Sequence, residues 1–189
     1  EAVGDGPVVY ADWNSGTTSY NAIRVGHAVR DLDIMLEQPC ESLAAIAKVR
    51  RNTNLPMKID ESGHDTQSLL EAHALGCRDV VALKLSKFGG LSALRRARDL
   101  CLHLKTMMVV EDTWGSDIAT AAAVHLGVTV PPKYLLNVCD LSGYVSPHVA
   151  TDGPLRDNGT LTPGTGPGLG ITIDESVLGE PELSLGSAQ

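Results

Sequence analysis

Six apolar runs in this chain each end on a polar residue, and those ends recur at nearly constant intervals. The terminal residues are Asp12, Glu37, Asp60, Lys84, Glu111 and the pair Cys139-Asp140, with Cys139 closing a series of steps of 25, 23, 24, 27 and 28 positions. Each step is the length of one strand, one helix and their connections. The runs VVYAD (8–12), DIMLE (33–37), MKID (57–60), VVALKL (80–85), TMMVVE (106–111) and YLLNV (134–138) have the make-up of strands. Between them, about 17–30, 41–53, 65–76, 90–104 and 116–127 carry apolar residues at helical spacing; in LSALRRARDLCLHL these are Leu91, Leu94, Ala97, Leu100, Cys101 and Leu102/Leu104. Strand and helix alternate without hairpin turns, which predicts an α/β fold on a parallel sheet, doubly wound or closed into a barrel. The carboxyl ends of parallel strands form the active-site face of such folds, whereas a charge facing an apolar interior is costly unless paired. Six strand ends therefore present polar groups to one rim.

After residue 140 the alternation lapses into Gly/Pro-rich sequence, GTLTPGTGPGLGITIDESVLGEP, which predicts an extended tail lying over the body. The expected organisation is thus β/α units over 1–140 and an extension over 141–189, with no separate second domain. With 189 residues, 43% hydrophobic, the chain can bury a sizeable core. A formal net charge of -8 gives no general attraction to phosphate backbones or anionic membranes, so neither nucleic acid nor membrane is an expected partner. No apolar run approaches a membrane span of roughly 18 residues, and EAVGDGPVV lacks the regions of a signal peptide, so cytoplasmic localisation is expected. Cys40, Cys77, Cys101 and Cys139 show no zinc spacing and are expected to be free thiols.

Asp12, Glu37 and Asp60 end three consecutive strands, which would bring their carboxylates within a few ångströms of one another. Like charges that close need a cation between them, and an all-oxygen donor set suits a hard divalent ion, Mg²⁺ best. The competing reading is that each acid caps the helix that follows it. Asn14 either supports a ligand or substrate on the same face or is a turn residue. Lys84 lies one unit further on, flanking that site; a lysine beside a divalent cation has a lowered pKa and can serve as a base toward a carbon acid, or it can simply pair with a rim carboxylate. Lys87 falls beyond the strand end and is read as solvated or paired with a neighbouring acid.

At these separations DWN, LEQP, IDES and LKLSKFGG resemble the enolase superfamily, specifically its muconate lactonizing enzyme subgroup, over nearly the whole chain, the PGLGI segment included. The resemblance implies the third to eighth strands of a modified TIM-type (β/α) barrel. It implies Asp12, Glu37 and Asp60 as Mg²⁺ ligands, Lys84 as acid/base catalyst, and Asn14 and Glu61 as supporting positions. The chemistry implied is abstraction of a proton α to the carboxylate of a small-molecule substrate, the metal neutralising the charge that forms. The subgroup also has a Lys-x-Lys at the end of the second strand and an N-terminal capping domain. A barrel of this kind takes about 250 residues, so an N-terminal portion or a partner chain carrying the cap and that lysine is expected, as is homo-oligomerisation. The chain by itself is expected to be inactive.

VVEDTWGSDIATAAAVHL and LLNVCDLSGYV further resemble the branch of the family acting on proline derivatives, whose reactions include dehydration of a cis-3-hydroxyproline and epimerisation of a betaine. Glu111, Asp112, Thr113, Trp114, Cys139 and Asp140 would then line the substrate pocket, Asp112 or Asp140 holding the ring ammonium and Trp114 adding an apolar or cation-π wall. The bland alternatives are that Asp112 caps the next helix and Trp114 packs beneath it. Cys40 is read as packing, His64 as a solvated loop residue, and His27, His73, His103 and His125 as helical residues remote from the rim. Two other classes stay open: a non-catalytic barrel fragment completing a partner, and a receiver-like domain, against which the even six-step series argues.

Overall fold

The computed structural model describes residues 6–112 and 115–183. Along the chain run β1 (Tyr10–Asp12), α1 (Ser19–Ala28), β2 (Met35–Glu37), α2 (Leu43–Thr53), β3 (Met57–Ile59), α3 (Thr66–Ala74), β4 (Val80–Lys84), α4 (Leu85–Phe88), α5 (Leu91–His103), β5 (Met107–Glu111), α6 (Ser116–Gly127) and β6 (Leu135–Val138). The extension adds β7 (Leu155–Asp157), β8 (Thr160–Thr162) and α7 (Glu175–Leu178). Strands β1 to β6 form one parallel sheet in sequential order. Helix starts follow local chemistry. Thr18 and Ser42 accept from the main-chain N–H groups of Asn21 and Ala45, and Asp65 and Ser68 form a reciprocal capping box at α3.

Strand periodicity sorts side chains into two faces. Leu36, Met57 and Ile59 pack with the helices α1 and α2 through Ala22, Ile46 and Val49. Val81, Leu83, Met108 and Val110 pack likewise against α5 and α6 through Leu94, Ala97 and Ala123. The opposite face carries Tyr10, Met35, Val80, Met107, Val109, Leu136 and Cys139 in one cluster. Tyr10 stands on the first strand and Cys139 follows the sixth, so a flat sheet could not bring them together. The sheet is curled into a half-barrel with helices outside and this cluster inside.

Two local expectations needed revision. Leu85 is not the last strand residue but opens the single turn α4, because Gly89 and Gly90, at φ 80° and 112°, let the chain turn before entering α5. The segment after 140 is not a plain extended tail. β7 and β8 pair antiparallel across Asn158-Gly159, both at positive φ, as an Asn-Gly two-residue hairpin requires.

Candidate active site

The strand ends deliver the expected side chains to one rim. Asp12 and Glu37 are register partners on β1 and β2, and Asp60 follows β3 directly. Glu37 and Asp60 are 3% and 2% exposed. Asp60 is the most heavily contacted group there. Lys84 Nζ donates to its Oδ2 at 2.7 Å, and Lys87 Nζ donates to its Oδ1 at 2.7 Å, to its main-chain carbonyl at 2.6 Å and to the Ala82 carbonyl at 3.2 Å. Burial opposes ionisation of Asp60, but the two ammonium groups outweigh it and hold its carboxyl below the ordinary carboxylate value. Of the two readings of Lys87, solvated or paired with a neighbouring acid, the structure shows the second; it is drawn under the rim, and burial lowers its pKa against the opposing pull of Asp60. Burial opposes the charge on Lys84 too, yet its bond to Asp60 leaves that ammonium raised above the ordinary lysine value.

Sequence reasoning missed the central cation. Lys58 is 2% exposed inside the half-barrel, its Nζ 2.8 Å from Glu37 Oε1, 3.3 Å from Glu111 Oε1 and 4.6 Å from the Tyr10 ring centroid. Placed in MKID, one residue on either side of it is apolar and faces the helices, so alternation alone marked it as inward; nothing in the sequence named its partners. Burial lowers the Lys58 pKa, but Glu111 and Glu37 more than reverse this and hold the ammonium charged. Glu37 is pushed up to about 7 by burial, only partly offset by Lys58, with Asp12 and Glu111 adding to the rise. The contact from Lys58 to Glu111 is long, and among the described residues Glu111 Oε1 has no hydrogen-bond partner.

The remaining predicted residues occupy distinct surroundings. Asn14 sits at φ 45° and donates its main-chain N–H to Asp12 Oδ1 at 3.0 Å. The Glu61 carboxyl is raised by burial, with Asp60 and Asp12 close enough to add to the shift and Lys84 to oppose it. Asp112 accepts from the N–H and hydroxyl of Ser86, tying β5 to α4. Cys139 is a free thiol in the interior cluster, raised to about 11 by burial and by Glu111. Asp140 receives Arg156 Nε at 2.6 Å and Nη2 at 3.0 Å, so its charge is already answered by the extension. Thr113 and Trp114 lie outside the described residues. Cys40 is buried in the outer core, His64 is exposed beside Asp65, and His27, His73, His103 and His125 stand on helices.

Chemically the three acids suit a hard divalent cation. They are oxygen donors on successive strand ends, as such an ion prefers. As the side chains stand, lysines supply that charge: both oxygens of Asp60 and one of Glu37 are engaged by ammonium groups, and among the described residues no three His, Cys, Asp or Glu side chains converge as a metal-holding group.

A curled parallel half-barrel with carboxylates and a lysine in series on its rim is an architecture with known relatives, and the chain belongs to the family described as Enolase C-terminal domain-like, matched over residues 1–177. It is 40% identical over 174 residues to the cis-3-hydroxy-L-proline dehydratase of Roseibium aggregatum, covering 92% of this chain and 47% of that protein. A mandelate racemase/muconate lactonizing enzyme from Roseovarius nubinhibens superposes with a TM-score of 0.90 at 39% identity, covering 94% of this chain and 48% of that one. A second such structure from the same organism, complexed with magnesium, gives a TM-score of 0.89 at 32% identity over 96% of this chain and 49% of that one. The chain thus spans about half the length of the relatives it matches. Among the described residues no helix is long and apolar enough to cross a membrane.

Proposed function

We propose that these residues form the catalytic half of an enzyme that removes a proton α to a carboxylate, and that its reaction is dehydration of cis-3-hydroxy-L-proline. The observation that carries this reading is the rim constellation: Lys84 poised 2.7 Å from Asp60 and one β/α unit past it, with the acids Glu37 and Asp12 on the two preceding strand ends. The similarity to the Roseibium dehydratase supports the choice of substrate. Asp12, Glu37 and Asp60 would hold Mg²⁺, with Asn14 and Glu61 supporting them. Bound there, the ion supplies positive charge to a substrate carboxylate and to the negative charge that develops on it.

Lys84 would accept the C2 proton as the free amine, a form made accessible when a divalent cation takes Asp60 and weakens the hold of that carboxylate on the ammonium. Loss of the 3-hydroxyl with a proton, as water, leaves an enamine that tautomerises to a cyclic imine. Of the acids there, Asp112 accepts from Ser86, Asp140 is paired with Arg156 and Glu111 faces Lys58 at 3.3 Å; Asp112 or Asp140 would hold the ring ammonium. The remaining strands of the barrel, the cap and an opposing lysine would come from further sequence or from a partner chain. If that lysine acts as a second base, the reaction becomes epimerisation.

The test uses the full-length protein with Mg²⁺ and cis-3-hydroxy-L-proline, trapping imine by borohydride reduction. Imine formation is expected, and Lys84→Ala should lower its rate by about 10²–10⁴-fold. Deuterium exchange at C2 in D₂O without imine would replace dehydration by epimerisation. Neither imine nor exchange, from this substrate or a proline betaine, would leave only a non-catalytic role.

A further inference from the structure

Resting on the metal site just proposed, we infer a positioning role for Lys58: it fixes the carboxylate of Glu37 from inside the barrel, so that the site offers a divalent cation one ligand geometry at the rim. Glu37 and Lys58 are register partners on β2 and β3, and Lys58 precedes Asp60 by two residues on the same face of the strand. Its ammonium is buried over the ring of Tyr10, two residues before Asp12 on β1, and so lies inside the half-barrel. From there it meets groups from three other strands, Tyr10, Glu37 and Glu111.

Stability does not account for a lysine at this place. A buried ion pair usually contributes no more than apolar residues of the same volume, and the neighbouring inward residues, Met35, Val80 and Val109, show what an apolar choice looks like here. Orientation does account for it. Asp60 is held by Lys84, the last residue of β4 at the mouth of the rim, and by Lys87 of α4. Glu37 is held at Oε1 by a lysine from the opposite, inner side. A cation at the rim thus competes with lysines for Asp60 but not for Oε1 of Glu37, whose side chain stays anchored throughout. Groups that orient metal ligands in this way commonly change metal affinity by about 10–100-fold when removed.

Mn²⁺ binding, read from loss of the free-ion electron paramagnetic resonance signal, tests the inference on the full-length protein without reference to turnover. Lys58→Met leaves Glu111 buried without its cation, so Lys58→Met/Glu111→Gln is measured beside it, with circular dichroism reporting the fold. The expected result is Mn²⁺ affinity lowered about tenfold or more in the folded double variant. Unchanged affinity in that variant overturns the role of Lys58 and leaves the metal site standing. Failure of the unaltered protein to bind Mn²⁺, or binding undiminished by Asp12→Ala, overturns the metal site and the inference with it.

Discussion

Two lysines three positions apart, Lys84 and Lys87, meet the same carboxylate and differ in what else they touch. Lys84 is bonded to Asp60 Oδ2 alone among the described groups, at the mouth of the rim. Lys87 also donates to the Asp60 and Ala82 carbonyls, main-chain acceptors just after β3 and in the middle of β4. Their substitutions should separate accordingly. Lys87→Met is expected to cost about 1–3 kcal/mol in urea denaturation, because it leaves the buried Asp60 Oδ1 without its ammonium. Lys84→Ala should remove activity at a smaller cost in stability. Equal losses of stability in the two variants would remove the distinction between a structural and a chemical lysine. Asp12→Ala, Glu37→Ala and Asp60→Ala should each weaken Mg²⁺ binding in calorimetric titration, and an acid whose loss leaves it unchanged is no ligand.

At the scale of elements, the extension is fastened to the barrel by one buried acid. Asp117, 1% exposed in the first turn of α6, accepts from the main-chain N–H groups of Val149 and Ala150 and from Arg156 Nη2 at 3.1 Å, with His148 Nδ1 also at 3.1 Å. Arg156 stands on β7 and bridges Asp117 to Asp140, so the hairpin is tied both to α6 and to the turn after β6. Burial opposes ionisation of both acids, but Arg156 in each case, joined by His148 at Asp117, holds them below the ordinary value of 3.8. Since their folded-state values are depressed, their contribution is present above the unfolded value and is lost as pH falls through and below it. Arg156→Ala should lower stability by about 2–3 kcal/mol at neutral pH, less than full loss of a buried pair because the guanidinium is a third exposed. It should also flatten the acid-side fall in melting temperature below pH 4; an unaltered acid limb would place that fall elsewhere. A second junction is steric. A Cβ at Gly127 would meet Val138 Cγ2, so α6 and β6 approach through a missing side chain, and Gly127→Ala should cost about 1–3 kcal/mol in the same denaturation.

For the whole molecule, the curl of the sheet is what turns a row of strand ends into a site. It brings Tyr10 of β1 and Glu111 of β5 into contact with Lys58 of β3. A cation bound only by the folded rim would stabilise the fold by linkage, about 2.7 kcal/mol at a hundredfold excess over its Kd. Millimolar Mg²⁺ is therefore expected to raise the melting temperature of the full-length protein, reversibly on chelation, and Glu37→Ala should abolish the rise. A rise that survives Glu37→Ala would move the ion to another site.

Much of this architecture was legible in the chain because it rests on local rules. The period of two in MKID or TMMVVE sets which residues face inward, the period of 3.6 in 91–103 sets the helix, and Asp12, Glu37, Asp60, Lys84 and Glu111 mark the rim by breaking apolar runs at their ends. The Asn158-Gly159 turn was equally local, and the hairpin it makes could have been read from its sequence. What only the tertiary structure decided is which charges meet. Lys58 pairs with residues 21 positions before it and 53 after it, Lys87 with one 27 positions before it, and Arg156 with one 39 before it. A local pattern fixes the face and the depth at which a side chain emerges; its partner across the interior depends on how far the sheet curls and which loops close over its rim, and that is a property of the packed whole.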